Sequence, residues 1–538
     1  MSLKSNLKLK THTQRSQDSN SPKNKGGMSV LDFIMLGFGS MVGVGWAVST
    51  NQWLRMAGGP LPAFIGFVIG TILLLPIGLS HAELMSALPV SGGVMAYGLR
   101  AFGSFASFIG AWFVALAYIT ILPWEALYIN QILTNLIPIL GKGPVLYRIL
   151  DSEITLISIV LSVCFALGLY WINFKGSKLA ATLQNFLANL IIVAGVVVVI
   201  ASLWQGKLSN LLPWHQAYED KQTMFSGIVR MVVIVPFFMA GFDTITQSVE
   251  ERHAKLHHRD VAKSLLQAIL LAGSFYAIVT LSTSAVLDWR VYADLPSPAM
   301  AYVLREAWGA GIGKALYIVI MVGSLAGLFS TWNGMFMAAA RLLETMGKAG
   351  LIPRIFAKTH SKYQTPITAS ILCTIAAAIG PFVGFQLIDP LTNLGSFAFI
   401  VGWFITCLAS LYLRFAEPKL KRSFVAPMGR WFLWLAVIFS GILLCLSFIP
   451  GQGTFMGYTA LSIFFVWLIL GLIFYLVTNG GQRGMHELEQ RELLFGPKLM
   501  RKDRRIMLRS LRAKWEIEEI RERDIQAKQD LAEKMRDD

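Results

Sequence analysis

Charge is what this sequence has least of. Of its 538 residues only 14% are Asp, Glu, Lys or Arg, against about 25% in an ordinary soluble domain. By contrast 55% are hydrophobic, and the mean hydropathy is +0.57. Apolar runs of about 20 residues recur too often to be hidden in water-surrounded cores, which excludes a soluble globule and defines a polytopic helical membrane protein. Acidic residues are scarcer than basic ones, 31 against 47, for a net charge of +16. In a soluble chain that excess would raise nucleic acid as a partner. Here the cations fall in loops and tails and on no recognisable binding motif, so no nucleic-acid partner is expected.

Cysteine is rare as well. Cys164, Cys373, Cys407 and Cys445 all lie in apolar runs, without zinc-site spacing or a disulfide framework, and read as packing residues. His253, His257 and His258 sit in a basic loop with no acidic or cysteine partner at metal spacing, so no metal centre is expected there. The chain also lacks a P-loop, a GxSxG elbow and an HExxH helix. ATP-driven pumping and the common hydrolase chemistries therefore lack their parts, and neither enzyme activity nor a cofactor is expected. Residues 1–27 are polar and basic, with no short apolar stretch before a small-residue cleavage site, so no cleavable signal peptide is read in them.

What is present is apolar length. Hydrophobic runs, Gly/Pro punctuation and charged interruptions give twelve candidate spans, at 29–54, 60–88, 104–137, 153–173, 178–204, 224–250, 261–288, 312–346, 367–388, 390–415, 430–450 and 455–478. Three units follow: a basic tail at 1–27, a membrane domain at 28–480 and a charged tail at 481–538. Lys4, Lys8, Lys10, Arg15, Lys23 and Lys25 precede the first span, and further cations crowd the even-to-odd loops, from Arg100 and Lys175 to Lys421 and Arg422. The cation bias and the even span count put both termini in the cytoplasm. Within the last tail, 503–535 intersperses Ile506, Leu511, Trp515, Ile520 and Leu531 among charges. That pattern reads as an amphipathic helix that is either solvated or docked on the protein or on anionic lipid.

Two glycine-broken segments stand out inside the spans, GFGSMVGVG at 37–45 and MAGFDTITQ at 239–247. Each glycine costs a helix roughly 1 kcal/mol relative to alanine. Gly37, Gly39, Gly43 and Gly45 around Ser40 are denser than a single helix-packing face requires, so the first span is expected to unwind, with tight packing as the other reading. Unwound backbone N–H groups beside a half-helix would hold a carboxylate. In the sixth span Pro236 and Gly241 weaken the ladder just before Asp243. A carboxylate at membrane depth is a functional candidate by default, here for proton or substrate coupling, although aspartate also caps helices well. Glu125, after Pro123 and Trp124 in the third span, is the other deep acid, open to structural hydrogen bonding or to coupling. Arg230 is expected to snorkel or pair at the outer end of span six. In the eighth span Ser330 and Thr331 offer oxygen ligands for sodium, set against the commoner back-bonding of such hydroxyls to their own helix.

Four ordered blocks resemble the amino acid, polyamine and organocation transporter superfamily, of the bacterial amino acid permease type. They are GSMVGVGW at 39–46, AELMSALPVSGGVMAYGLRAFGSFASFIGAW at 82–112, FFMAGFDTITQSVEE at 237–251 and AAARLLETMGKAGLIPRIFAKTHSKYQTP at 338–366. The resemblance spans about 29–478. It implies an all-α fold of two inverted five-helix repeats plus two extra helices, with the first and sixth unwound mid-membrane. It also implies that the backbone from Ser40 through Met41, Val42, Gly43 and Val44 to Gly45 meets a substrate carboxylate. Carbonyls from Phe237 through Ala240 to Gly241 would meet its amine, Phe237 and Phe242 would gate or line the pocket, and Trp124, Trp332 and Met335 would complete its walls.

Two departures accompany the likeness. Gly45, Trp46 and Ala47 replace the usual Gly-Ile-Phe, and span five offers Asn185 and Asn189 where some proton-coupled relatives carry a lysine. The expectation is alternating-access transport of an amino acid or small amine across the plasma (bacterial inner) membrane, in lipid, with protons as partner through Asp243 and Glu125. Exchange of one amino acid for another is the alternative, and an amino acid receptor is a further one. A channel lacks a filter motif.

Overall fold

In the computed structural model the described residues are 27–149, 152–175, 177–218, 222–448, 457–478 and 487–499. They are overwhelmingly helical, because in lipid only a helix satisfies each backbone group within its own segment. Among them nine helices are long and apolar enough to cross a membrane, and Met224–Phe238, Ile367–Val383 and Trp431–Leu446 are shorter apolar helices. Local chemistry starts and stops them. Ser29 accepts from the Asp32 N–H at 3.2 Å while the Asp32 carboxylate accepts from the Ser29 N–H at 2.7 Å, a capping box before Val30–Met41. Pro60 occupies the first turn of Pro60–Ala87, where its missing N–H costs nothing.

Small residues let these helices approach closely. A side chain at Gly66 or Gly70 would meet Met231 or Val235, and one at Gly78 or Gly273 would meet Ile269 or Thr71. Pro60–Ala87 is thereby pressed between Met224–Phe238 and His258–Ser284. Lys314–Lys348 packs on Ser104–Leu136 and Ser177–Gln205. The outward surface is apolar instead: Trp171, Phe186, Ile200, Val466 and Ile469 are exposed, as a bilayer-facing surface requires. Two of the four cysteines correct the packing expectation. Cys373 and Cys407 are buried, but Cys164 and Cys445 lie on that outward face.

Three features were not foreseen. Val145–Ile149 and Ser152–Thr155 form an antiparallel hairpin with Arg148 opposite and ion-paired to Glu153. The next helix therefore begins at Leu156, after Thr155 caps it by accepting from the Ser158 N–H, and not at 153. Short helices Val94–Phe102, Trp289–Asp294 and Ala299–Trp308 are interposed between the long ones along the chain. The segment Glu487–Leu499 is helical with a kink at Gly496, and its Gln490 is held by the Ser104 hydroxyl at 2.6 Å. The basic stretch at 1–26 and the amphipathic stretch at 503–535 lie outside the described residues.

Candidate functional site

The helical run at the first glycine cluster stops at Met41 and resumes with Gly45–Val48 and Thr50–Ala57. Val42, at φ −94° and ψ 85°, carries the departure. The second run stops at Phe238 and resumes at Thr244–Gln247, with Gly241 at φ +122° between them. That left-handed backbone suits glycine, and a Cβ on Gly241 would stand 2.7 Å from the Ser40 carbonyl carbon and oxygen. The two interruptions therefore cross in contact. The Thr244 hydroxyl reaches the Ser40 hydroxyl at 3.3 Å.

Freed backbone carbonyls find partners inside the protein, as the apolar surroundings demand. Thr331 donates to Gly39 O at 3.2 Å, Tyr276 donates to Met41 O at 3.0 Å, and Thr244 donates to Gly241 O at 2.6 Å. Around the first interruption lies a cavity of about 20 Å³, on the scale of a water molecule or two. Ser40, Met41, Gly43, Gly45, Trp124, Phe237 and Ala240 line it, together with Glu125 and Thr331. Phe238, Tyr276 and Ile121 complete the lining; Phe238 lies within the expected 237–241 stretch, whereas sequence reasoning had passed over Tyr276 and Ile121. Tyr276 gave no signal, since one tyrosine in an apolar span reads as packing.

Glu125 is the unusual member. It is 1% exposed, and its Oε2 has no hydrogen-bond partner in the protein. Its Oε1 stands 2.8 Å from where a Cβ on Gly43 would be. A buried carboxyl without a donor is costly, so it carries a proton, meets water or awaits a ligand. Asp243 is held elsewhere. Tyr118 donates to its Oδ2 at 2.5 Å and the Gly241 N–H to its Oδ1 at 3.3 Å. Its side chain makes no cap bond to Thr244–Gln247, which corrects the capping alternative, and it does not border the cavity.

The remaining sequence candidates are buried outside the lining. Val42 and Val44 point into the core. Phe242 packs edge-on to His81 and against Trp403. Trp332 stacks beside Phe329, and Met335 is fully buried. Ser330 accepts from Gln184 Nε2 at 2.8 Å, and Gln184 in turn accepts from Asn333, so an amide network occupies that side of Gly39. The hydroxyls of Ser330 and Thr331, the sodium candidates, both have protein partners. Trp46 fills a gap between Phe275 and Gly323 and is absent from the cavity lining, so the substituted indole serves packing. Span five places Asn185 on Asp32 at 2.5 Å, and Asn189 bonds its own helix at Asn185 O.

Two larger cavities flank this centre. One, of about 220 Å³, shares Trp124 and Phe238 with it and reaches Asp389. The other, of about 520 Å³, lies at the opposite end among Glu250, Glu251 and Arg341. At that end Arg341 pairs with Glu251 and reaches Ser248, while Glu250 and Gln247 accept from the N–H groups of Ser91 and Gly92.

A profile of the family described as amino acid permease matches residues 28–474. The chain belongs to the amino acid permease family. A branched-chain amino acid permease of Bacillus subtilis (strain 168) is 26% identical over 463 residues, covering 83% of this chain and 92% of the relative. A methylthioribose transporter of the same strain is 24% identical, with the same two coverages of 83% and 92%. Cationic amino acid transporter 5 of Arabidopsis thaliana is 26% identical over 82% of this chain and 75% of its own. With its apolar helices, the permease is an integral membrane protein.

Proposed function

We propose that this permease carries an amino acid or a related small amine across the plasma (bacterial inner) membrane by alternating access, coupled to protons. The observation that carries the reading is the crossing of two helix interruptions beside a buried carboxyl with an unpartnered oxygen, Glu125. Backbone N–H groups at 44 and 45 would meet the substrate carboxylate, and carbonyls at 237–240 its amine. Val42, Val44, Gly241, Phe242, Trp332 and Met335 would support this shell from behind, and Glu125 would take and release the proton. Asp243, tied to Tyr118 and to the Gly241 N–H, would report on the second interruption.

The nine long and three shorter apolar helices are twelve crossings, arranged as two inverted repeats plus two, with both termini cytoplasmic. The Asp389 cavity then opens outward and the Arg341 cavity inward, with the small central cavity closed between them. Relatives named for branched-chain and for cationic amino acids support the substrate class and leave the side chain open. The test is uptake of labelled amino acids into proteoliposomes with an imposed pH gradient, inside alkaline. Accumulation above equilibrium that collapses with a protonophore is expected. Uptake that ignores the gradient and requires internal amino acid would replace symport by exchange.

A further inference from the structure

The cavity of about 220 Å³ beyond Trp124 and Phe238 has a chemistry of its own. Asp389, Thr392 and Asn393 lie at i, i+3 and i+4 in the first turns of Ile388–Ala416, hence on one face, and all three border the cavity. Across from them stand Trp124 and Tyr128, one turn apart, their ring centroids 4.5 Å from each other. Asp389 is the one charged side chain in this lining, and it makes no ion pair among the described residues. The opposite cavity differs, since its lining mixes Glu250, Glu251 and Glu344 with Arg341 and Lys348, and two of those acids are paired.

A carboxylate facing aromatic rings without a competing cation is a receptor for an ammonium or guanidinium group. We infer that this cavity is a second binding station, outside the central one, for the cationic group of an organic amine or cationic amino acid; its place on the transport route rests on the function proposed above. The station also touches the partition. The Trp124 indole N–H donates to Thr392 Oγ1 at 3.1 Å, so the helix turn that carries Asp389 also holds the ring separating the two cavities. An anionic substrate is repelled there. A neutral amino acid presents its ammonium group to Asp389 but leaves its carboxylate without a cation.

The decisive measurement is binding of labelled lysine to the purified protein in detergent, which needs no transport. Asp389→Asn should weaken lysine binding roughly fivefold, the worth of about one solvent-facing charge at contact distance. Asp389→Glu should restore it, and leucine binding should move less than twofold. In Gly43→Leu, whose central cavity is filled, residual lysine binding that Asp389→Asn removes is expected, provided both variants melt like the parent. Equal lysine binding with and without Asp389→Asn, or equal losses for lysine and leucine, would overturn the station. Failure of the unaltered protein to take up any amino acid would instead overturn the transport reading and leave the binding result standing on its own.

Discussion

The two helix interruptions look alike in sequence and are built differently. At the first, other helices supply the carbonyl bonds: Thr331 and Tyr276 reach in from 292 and 235 residues away to hold Gly39 O and Met41 O. At the second, the freed backbone groups are held by their own segment, and only the Asp243 side chain takes a distant donor, Tyr118. Thr244 bonds Gly241 O, Asp243 takes the Gly241 N–H, and Thr246 bonds Asp243 O. The first borders the cavity through Ser40, Met41, Gly43 and Gly45, and the second through Ala240 and the two phenylalanines that end its first half-helix, Phe237 and Phe238. One interruption is thus a surface whose carbonyls are held by neighbouring helices, the other a crossing whose backbone is held locally and braced against Ser40. Obstacles to substitution differ in the same way. A Cβ on Gly43 would meet side-chain oxygens of Glu125 and Thr331, while one on Gly241 would meet the backbone of Ser40.

This contrast can be broken at several points. Gly43→Leu and Gly241→Leu should both abolish thermal stabilisation by leucine, which depends on the central cavity, while the protein still inserts into the membrane. Normal binding by both would reduce the interruptions to packing. Alanine separates them. Gly241→Ala adds a strained left-handed conformation, about 1–3 kcal/mol, to a backbone collision, and no side-chain truncation should rescue its lowered melting temperature. Gly43→Ala should regain part of its lost melting temperature when combined with Glu125→Ala, because one of its two obstacles is a side chain that this change removes. Equal rescue at the two sites would erase the distinction.

A smaller effect is expected from Glu125→Gln, which keeps the shape of the cavity wall but cannot cycle a proton. Concentrative uptake driven by a pH gradient should disappear while exchange across the membrane persists. Asp243→Asn should retain concentrative uptake at a reduced rate. If Asp243→Asn alone removes gradient dependence, the coupling role moves to the second interruption. Smallest of all is Tyr276→Phe, which leaves Met41 O without its donor. It should cost about 1–3 kcal/mol, read as a lowered melting temperature with substrate specificity unchanged.

Much of the scaffold was legible without coordinates. The apolar runs marked helices whose ends agree to within a few residues at Pro60–Ala87, Ser104–Leu136 and Tyr458–Thr478. The hairpin was missed because Val145–Ile149 falls between the third and fourth apolar spans, while most of Ser152–Thr155 abuts the fourth and was absorbed into it. Glu125 and Asp243 were found because a carboxyl in an apolar span is conspicuous at any orientation. Which of them borders the cavity was not legible, since Ser104–Leu136 is apolar around its whole circumference and carries no stripe to mark its inner face. Tyr118, Tyr276 and Gln184 were passed over for a related reason. Each gains its meaning from a partner more than a hundred residues away, Asp243, Met41 and Ser330 respectively.

By itself the sequence determined that this protein lives in a membrane, where most of its helices run and which two segments break, although Gly37 and Gly39 stay within the helix Val30–Met41. Those properties follow from composition and local backbone cost, which act along the chain. Only the tertiary structure decided that the two failures cross at Ser40 and Gly241, that Glu125 is left with an unpartnered oxygen at the cavity while Asp243 is bonded elsewhere, and that Trp124 borders both that cavity and the larger one at Asp389. These depend on which faces of apolar helices meet, and in lipid that choice rests on packing and hydrogen bonds between distant segments.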